Sequence, residues 1–234
     1  GGGKVFRAIT PGNYADVARS IAVHADGSIA IAGYASNNGV ENDSVLMMLE
    51  ADGSPRAGFG NAGVAIYNRG VGTDYGLAMA IQPDQKVVAA GYTYQAVNDD
   101  VLTARFLPGG TLDPAYGVDG RTLTRVGTST DRAYSVVVQP DGKLVFGGYA
   151  SISTDDFLIM RQNADGTPDT SFGTNGSVTT SIGPATDQGR ALVLQEDGRI
   201  VLAGYANSGV NDDFALVRYN ADGSLDGTFG VDGK

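Results

Sequence analysis

A Gly-Tyr pair preceded by Ala or Gly recurs four times along the chain, ending at Tyr34, Tyr92, Tyr149 and Tyr205, with separations of 58, 57 and 56 residues. A repeat of this length is one supersecondary unit that cannot bury its own faces, so it must stack on copies of itself. Aligned on that mark, the chain divides into four units, each opening on an aspartate: Asp16, Asp74, Asp131 and Asp187. The units run over 16–73, 74–130, 131–186 and 187–234, the last completed by 1–15, as a single domain 1–234.

Each unit carries four strand signals and no convincing helical period. In the fourth unit the first strand is "RALVLQ" (Arg190–Gln195) and the second is "IVLAGY" (Ile200–Tyr205). The Asp-Gly turn between them supplies the positive φ that a tight hairpin needs. The third strand is "FALVRYN" (Phe214–Asn220), and the fourth is clearest in the third unit as "SVTTSI" (Ser177–Ile182). Composition agrees: 35 Gly among 234 residues, without a collagen period, points to many tight turns. Strands one and two are almost continuously apolar, as when both faces are covered, whereas strand four is polar. That gradient predicts an all-β fold, a β-propeller with four blades of four antiparallel strands, strand one at the axis and strand four at the rim. A β-solenoid is the competing stack, but it lacks such a gradient. The segment Val5–Ile9 follows "GK" as a fourth strand would, and the chain reaches "GK" again at Lys234. The expectation is a ring closed by the N-terminal strand, which removes two sheet edges.

The stretch "QPDGKLVFGGY…DDFLIMR…NADGTPDTSFG" (Gln139–Gly173) resembles the delta-60 repeat, a bacterial β-propeller-type repeat, and the likeness extends over essentially the whole chain. The resemblance implies a secreted or cell-surface bacterial protein, often one module of a larger chain, and it implies no catalytic residues. The first unit departs most. Arg105, Arg161 and Arg218 share one position and Asp113, Asp169 and Asp226 follow eight residues later, but the first unit has Met48 and Arg56 there. Both partners change together, so a structural, bidentate Arg–Asp pair is expected in the other three units.

The net charge is −10, and only Glu41, Glu50 and Glu196 among the acids are Glu, so the acidity is turn chemistry. Nucleic acid, which needs clustered bases, is excluded as a partner. No apolar run approaches the roughly 20 residues of a membrane span. There is no Cys, and the chain starts without Met, so a trimmed leader is allowed. The alternating oxygens Asn163, Asp165, Thr167, Asp169 and Asn220, Asp222, Ser224, Asp226 raise calcium as a candidate cofactor, but an Asp-Gly turn explains them as well and no cofactor is expected. The four opening aspartates would ring one mouth of the channel, either around a cation or as backbone caps; caps are expected. His24, the only histidine, is expected to be an exposed side chain beside a turn. "GVGTDYG" (Gly70–Gly76) precedes a strand, not a phosphate-cradling helix. The variable loops before strands one and three share a face; Asn38, Tyr94, Asn98, Asn207 and Asn211, with the four aspartates, are the candidate binding residues there. A protein or glycan surface is the partner class. The reading is a non-catalytic scaffold or binding module, not an enzyme; the alternative is a secreted carbohydrate-active hydrolase or lyase using loop-face Asp residues.

Overall fold

The computed structural model describes residues 3–5, 7–10, 14–36, 39–68, 72–94 and 97–234. Its strands fall into four antiparallel sheets in chain order. Blade 1 holds β1 (Asp16–Val23), β2 (Ile29–Ser36), β3 (Asn42–Leu49) and β4 (Val64–Tyr67). Blade 2 holds β5 (Thr73–Ile81), β6 (Val87–Tyr94), β7 (Asp99–Phe106) and β8 (Arg121–Thr124). Blade 3 holds β9 (Asp131–Val138), β10 (Leu144–Ser151), β11 (Asp155–Gln162) and β12 (Ser177–Thr180). Blade 4 holds β13 (Asp187–Leu194), β14 (Ile200–Asn207) and β15 (Asp212–Tyr219), and it is three-stranded. The hairpin glycines Gly27, Gly142 and Gly198 take φ of +83°, +85° and +84°. None of the described residues forms a helix long and apolar enough to cross a membrane.

Successive residues of a strand face opposite sides, so each blade has two faces to bury. Ala30, Ala32, Leu46 and Met48 of blade 1 pack on Ala89, Leu102, Ala104 and Phe106 of blade 2. Val88, Ala90 and Val101 on the other side of blade 2 pack on Phe146, Leu158 and Met160 of blade 3. Val145, Phe157 and Ile159 then meet Leu202, Ala215 and Val217 of blade 4. Full burial of one such side chain stabilises by about 1.5–3 kcal/mol, so these junctions hold the stack. The first strands β1, β5, β9 and β13 also touch one another in series, which puts them on the inner side of the array.

Among the described residues no sheet joins the two ends of the array. Val5 and Arg7–Ile9 lie against blade 1: Arg7 Nη2 donates to Ala62 O at 2.7 Å, and Ile9 packs beside Val45, Val64 and Met47. Phe6 lies outside the described residues, and closure of the ring by this segment is not seen. The outer face of blade 4 is open, with Phe214 99% exposed. The burial gradient also differs. All eight residues of β7 are buried, whereas β1 has four exposed residues. In blade 3 the second strand β10 is the more buried, with seven of eight residues buried against six in β11.

His24 is buried, at 6% exposure, not exposed as expected. Its Nδ1 lies 3.0 Å from Gln85 Oε1 in the hairpin of blade 2.

Candidate functional site

The glycine of each Gly-Tyr mark has a steric cause. A methyl group at Gly33, Gly91, Gly148 or Gly204 would lie 2.0, 1.7, 1.9 and 1.9 Å from the carbonyl oxygens of Val17, Tyr75, Arg132 and Gln188. The pairing between first and second strands shifts register next to these contacts in every blade. Such a bulge sharpens the twist and re-aims the neighbouring side chains. The tyrosine after each glycine is paired with the first-strand residue at the contact: Val17↔Tyr34, Tyr75↔Tyr92, Arg132↔Tyr149 and Gln188↔Tyr205.

These pairs join across blades into one ladder. The guanidinium of Arg19 lies 5.5 Å from the Tyr34 ring, and Tyr34 meets Tyr75 edge-on at 4.7 Å. Tyr75 stacks on Tyr92 at 4.7 Å, and Arg132 lies 4.2 Å from Tyr92 and 6.0 Å from Tyr149. Tyr149 stacks on Tyr134 at 5.9 Å, and Arg190 lies 4.2 Å from Tyr134 and 5.6 Å from Tyr205. Polar groups fix the rungs. Asn42 Nδ2 donates to Tyr75 OH at 2.9 Å, and Arg132 Nε donates to Asp99 Oδ2 at 2.7 Å. Asp155 accepts from Gln188 Nε2 at 2.6 Å and from Ser151 Oγ, while Arg190 donates to Gln188 Oε1.

Burial pushes the phenols of Tyr92 and Tyr149 well above the usual tyrosine range. They stay protonated, as hydrogen-bond donors and stacking faces rather than bases. Burial works against the charge of Arg132, but Tyr134 and Asp99 outweigh it and raise its pKa further. The ladder thus brings aromatic rings, fixed cations and two flanking carboxylates together across the blades, with Tyr149 and Asp99 buried within it.

The opening aspartates do not join it. Asp16 Oδ2 accepts from Ile9 N at 2.7 Å, Asp131 Oδ2 from Val126 N at 2.7 Å, and Asp187 Oδ2 from Ile182 N at 2.6 Å. Each ties down the loop that enters its own strand, and Asp74, Asp131 and Asp187 are buried. Burial raises the Asp131 pKa, with Asp100 adding to it and the N–H groups of Val126 and Gly127 opposing. In the variable loops, Tyr94 is 44% exposed and Asn98 is half-buried. Asn207 Nδ2 donates to Asp212 Oδ1 at 2.7 Å and Asn211 Nδ2 to Asp213 Oδ1 at 2.9 Å, so both are spent within their own loop. Asn38 lies outside the described residues. The structure does not gather these loop residues into one site.

Arg105 Nε donates to Asp113 Oδ2 at 2.8 Å, Arg161 Nε to Asp169 Oδ2 at 2.7 Å and Arg218 Nε to Asp226 Oδ2 at 2.7 Å. One oxygen of each aspartate takes the arginine; the other accepts the backbone N–H two residues on, at 3.0 Å in all three. The second arm of the guanidinium goes elsewhere: Arg105 and Arg161 donate Nη1 to Ala164 O and Ala221 O of the next blade. In the two candidate calcium loops, Asp165 and Asp222 accept from Thr167 and Ser224, and Asp169 and Asp226 face arginine. No group of three metal-ligating side chains occurs among the described residues.

The ladder residues were not among the sequence candidates. The signal was present in the tyrosine of each repeat mark and in the arginines of "DVAR", "DRAY" and "DQGR", but these vary between units.

A family described as "Domain of unknown function (DUF5122) beta-propeller" matches residues 24–59, 82–116, 139–172 and 195–229. The match bears out a four-repeat propeller family, though not under the delta-60 name. No match is found among curated proteins. Among solved structures, the chain resembles a protein of unknown function from Bacteroides caccae at 11% identity, covering 92% of this chain and 70% of that one with a TM-score of 0.51. It also resembles an α-L-arabinofuranosidase from Clostridium thermocellum, at 11% identity over 89% and 70% of the two chains with a TM-score of 0.45. A third is a polysaccharide lyase, an ulvan lyase, at 12% identity over 85% and 50% with a TM-score of 0.45. Such identities speak to fold alone. The expectation that the chain is not an enzyme is corrected by them: most of the named neighbours are glycoside hydrolases and lyases, so this architecture does not argue against catalysis.

Proposed function

We propose that this chain, which belongs to the DUF5122 beta-propeller family, is the carbohydrate-facing part of a hydrolase or lyase, with the ladder from Arg19 to Tyr205 as its glycan platform. The observation that carries this reading is the unbroken succession of tyrosine faces and guanidinium groups across all four blades. Tyrosine supplies a rigid apolar face and a polar tip, which suits the C–H faces and hydroxyls of sugar rings. Arginine adds planar, multiple donation to hydroxyls or carboxylates. A platform repeated per blade suits a chain of sugar units better than one small molecule. Asp99 and Asp155 touch the ladder, and Asp155, not held by an arginine, is the carboxylate we assign to the chemical step. A glycan platform works where polysaccharides are met, outside the cell, in a secreted or surface protein. We infer in addition that the blades belong to a closed ring in which a strand formed by Val5–Ile9 completes blade 4; the open apolar face of β15 supports this.

Affinity electrophoresis through gels containing neutral and acidic polysaccharides tests the platform. Retardation by at least one polysaccharide is expected, and it should be lost in Tyr92→Ala and Arg132→Gln with the melting temperature checked for each. Release of reducing ends, against formation of an unsaturated sugar, separates hydrolase from lyase. Asp155→Asn should remove turnover and keep retardation. A chain that no polysaccharide retards sinks the reading.

A further inference from the structure

Each first strand carries one residue that the second strand does not pair. The register skips Arg19 in blade 1, Leu77 in blade 2, Tyr134 in blade 3 and Arg190 in blade 4. A bulged residue has its side chain re-aimed out of the regular alternation of the strand. Two of the four are arginines, in a chain with 26 acidic and 16 basic residues. Arginines elsewhere in the ladder and the junctions are matched to an aspartate: Arg132 to Asp99, Arg105 to Asp113, Arg161 to Asp169. Arg19 and Arg190 form no ion pair among the described residues, and both are exposed.

The junctions on either side of blade 3 show what sets Arg190 apart. Arg132 of blade 3 bonds Asp99 of blade 2, Nε to Oδ2 at 2.7 Å. The same two repeat positions at the next junction hold Gln188 and Asp155, with Nε2 donating to Oδ2 at 2.6 Å. An amide bonds a carboxylate without neutralising it. The cation stands instead at Arg190, where blade 3 has Tyr134. Its Nη2 donates to Oε1 of the same Gln188. Gln188 is buried, and it spends one end of its amide on Asp155 and the other on Arg190. The Arg190 guanidinium lies 4.2 Å from the Tyr134 ring, 5.6 Å from Tyr205 and 5.9 Å from Tyr149. Aromatic rings use the face of a guanidinium, whereas its five N–H donors lie along the edge.

We propose that the glycan is anionic and that Arg190 takes the carboxylate of a uronate unit, with Asp155 held at the other end of the Gln188 amide. This deepens the glycan reading above and rests on it. A guanidinium fork meets a planar carboxylate through two parallel bonds. Among the described residues no carboxylate of the protein fills that role at Arg190, so no ion pair has to break when one arrives. A direct pair, as between Arg132 and Asp99, cancels both charges. The amide keeps them apart, leaving the cation for the ligand and the carboxylate for the chemical step. Arg19, whose Nη2 donates to Tyr34 OH at 3.1 Å, repeats an unmatched cation in blade 1. Charges set at separate blades suit a polymer of acidic units. The net charge of −10 repels a polyanion at long range, so retention of one reports local cations rather than overall attraction.

Affinity electrophoresis through polygalacturonate, alginate and glucuronan, each beside its carboxyl-reduced form, isolates the contribution of the carboxylate. Retardation by at least one of the three is expected, and its reduced form should not retard. Arg190→Gln should weaken that retardation about tenfold, the worth of one charge-assisted contact, at an unchanged melting temperature. Arg190→Lys keeps the charge without the fork and should restore only part of it. Arg121→Gln changes the net charge equally, away from the ladder, and should leave retardation as it was. Equal retardation by the reduced forms, or an Arg190→Gln chain that runs like the unaltered one, would overturn the uronate assignment and leave the platform standing. Retardation by dextran sulfate and by none of the three uronans would show that sulfate is read instead, and would overturn it too. A chain that no polysaccharide retards, neutral or acidic, sinks both readings.

Discussion

Blade 3 and blade 1 build the same junction from different side chains. In blade 3, Arg161 is clamped to Asp169, lies 4.5 Å from the Phe172 ring and donates across the junction to Ala221 O at 2.5 Å. In blade 1 the equivalent positions hold Met48 and Arg56. Met48 is 2% exposed and joins the apolar cluster with Phe106, while Arg56 turns back within its own blade, to Ser28 Oγ at 2.6 Å and Asp26 Oδ2 at 3.0 Å. The arginine of blade 3 therefore does two jobs, neutralising a buried carboxylate and stapling two blades. In blade 1 a thioether fills the space and the staple is absent. A repeat array tolerates the exchange because each junction depends only on its two neighbours.

The largest expected effects come from mixing the two solutions. Met48→Arg alone would place an unpaired cation in the apolar junction of blades 1 and 2, at a cost of about 4 kcal/mol. Adding Arg56→Asp recreates the blade 3 pair and should recover about half of that loss. Arg161→Met leaves Asp169, 8% exposed at its side chain, with only Lys143 as a cationic partner, and should cost about 3 kcal/mol. Urea denaturation measures all three. A double variant no more stable than Met48→Arg would show that the two positions are not partners in blade 1.

The blades, their turns and these exchanged pairs were legible in the sequence because each depends on local chemistry repeated in register. Asp-Gly turns, alternating apolar residues and an eight-residue Arg–Asp offset need no knowledge of distant contacts. The ladder was not legible for the opposite reason. Its rungs are joined by cross-strand and cross-blade contacts, such as Arg132 with Tyr92 and Asp99, and Val17, Tyr75, Arg132 and Gln188 differ at one repeat position. Aligning the units averages such residues away.

Acid should separate the clamped aspartates from the capping ones. Burial opposes ionisation of Asp169, but bonds from Ser171, Lys143 and Arg161 outweigh it and hold its pKa well below the usual carboxylate range. The bond from Thr228 leads those that lower Asp226 to about 2. A depressed folded pKa adds stability that is complete above the unfolded value near 3.8 and is lost as pH falls toward the folded one. Asp131 and Asp156 are shifted the other way, chiefly by burial, so their contribution declines as pH rises through their folded values. The expected profile rises as pH falls through the raised range of Asp131 and Asp156, then falls below about pH 4 as Asp169 and Asp226 protonate. Urea midpoints across that range give the shape, and Asp169→Asn should flatten only the acid limb. A profile that falls steadily from neutral pH would contradict these assignments.

The smallest effect belongs to blade 1. Arg56 and Asp26 have side chains 33% and 52% exposed. A pair so open to water is screened by salt and holds two mobile side chains for a modest Coulomb gain. Arg161 and Asp169 are covered, and salt reaches them poorly. Arg56→Ala should therefore lower the melting temperature slightly in dilute buffer and not at all in concentrated sodium chloride, whereas the loss from Arg161→Met should persist in both. Thermal melts of the two variants at low and high salt make the comparison directly. If Arg56→Ala costs as much as Arg161→Met, and the cost survives salt, then Arg56 holds blade 1 to its neighbour after all, and the staple missing at Met48 has been rebuilt one turn away.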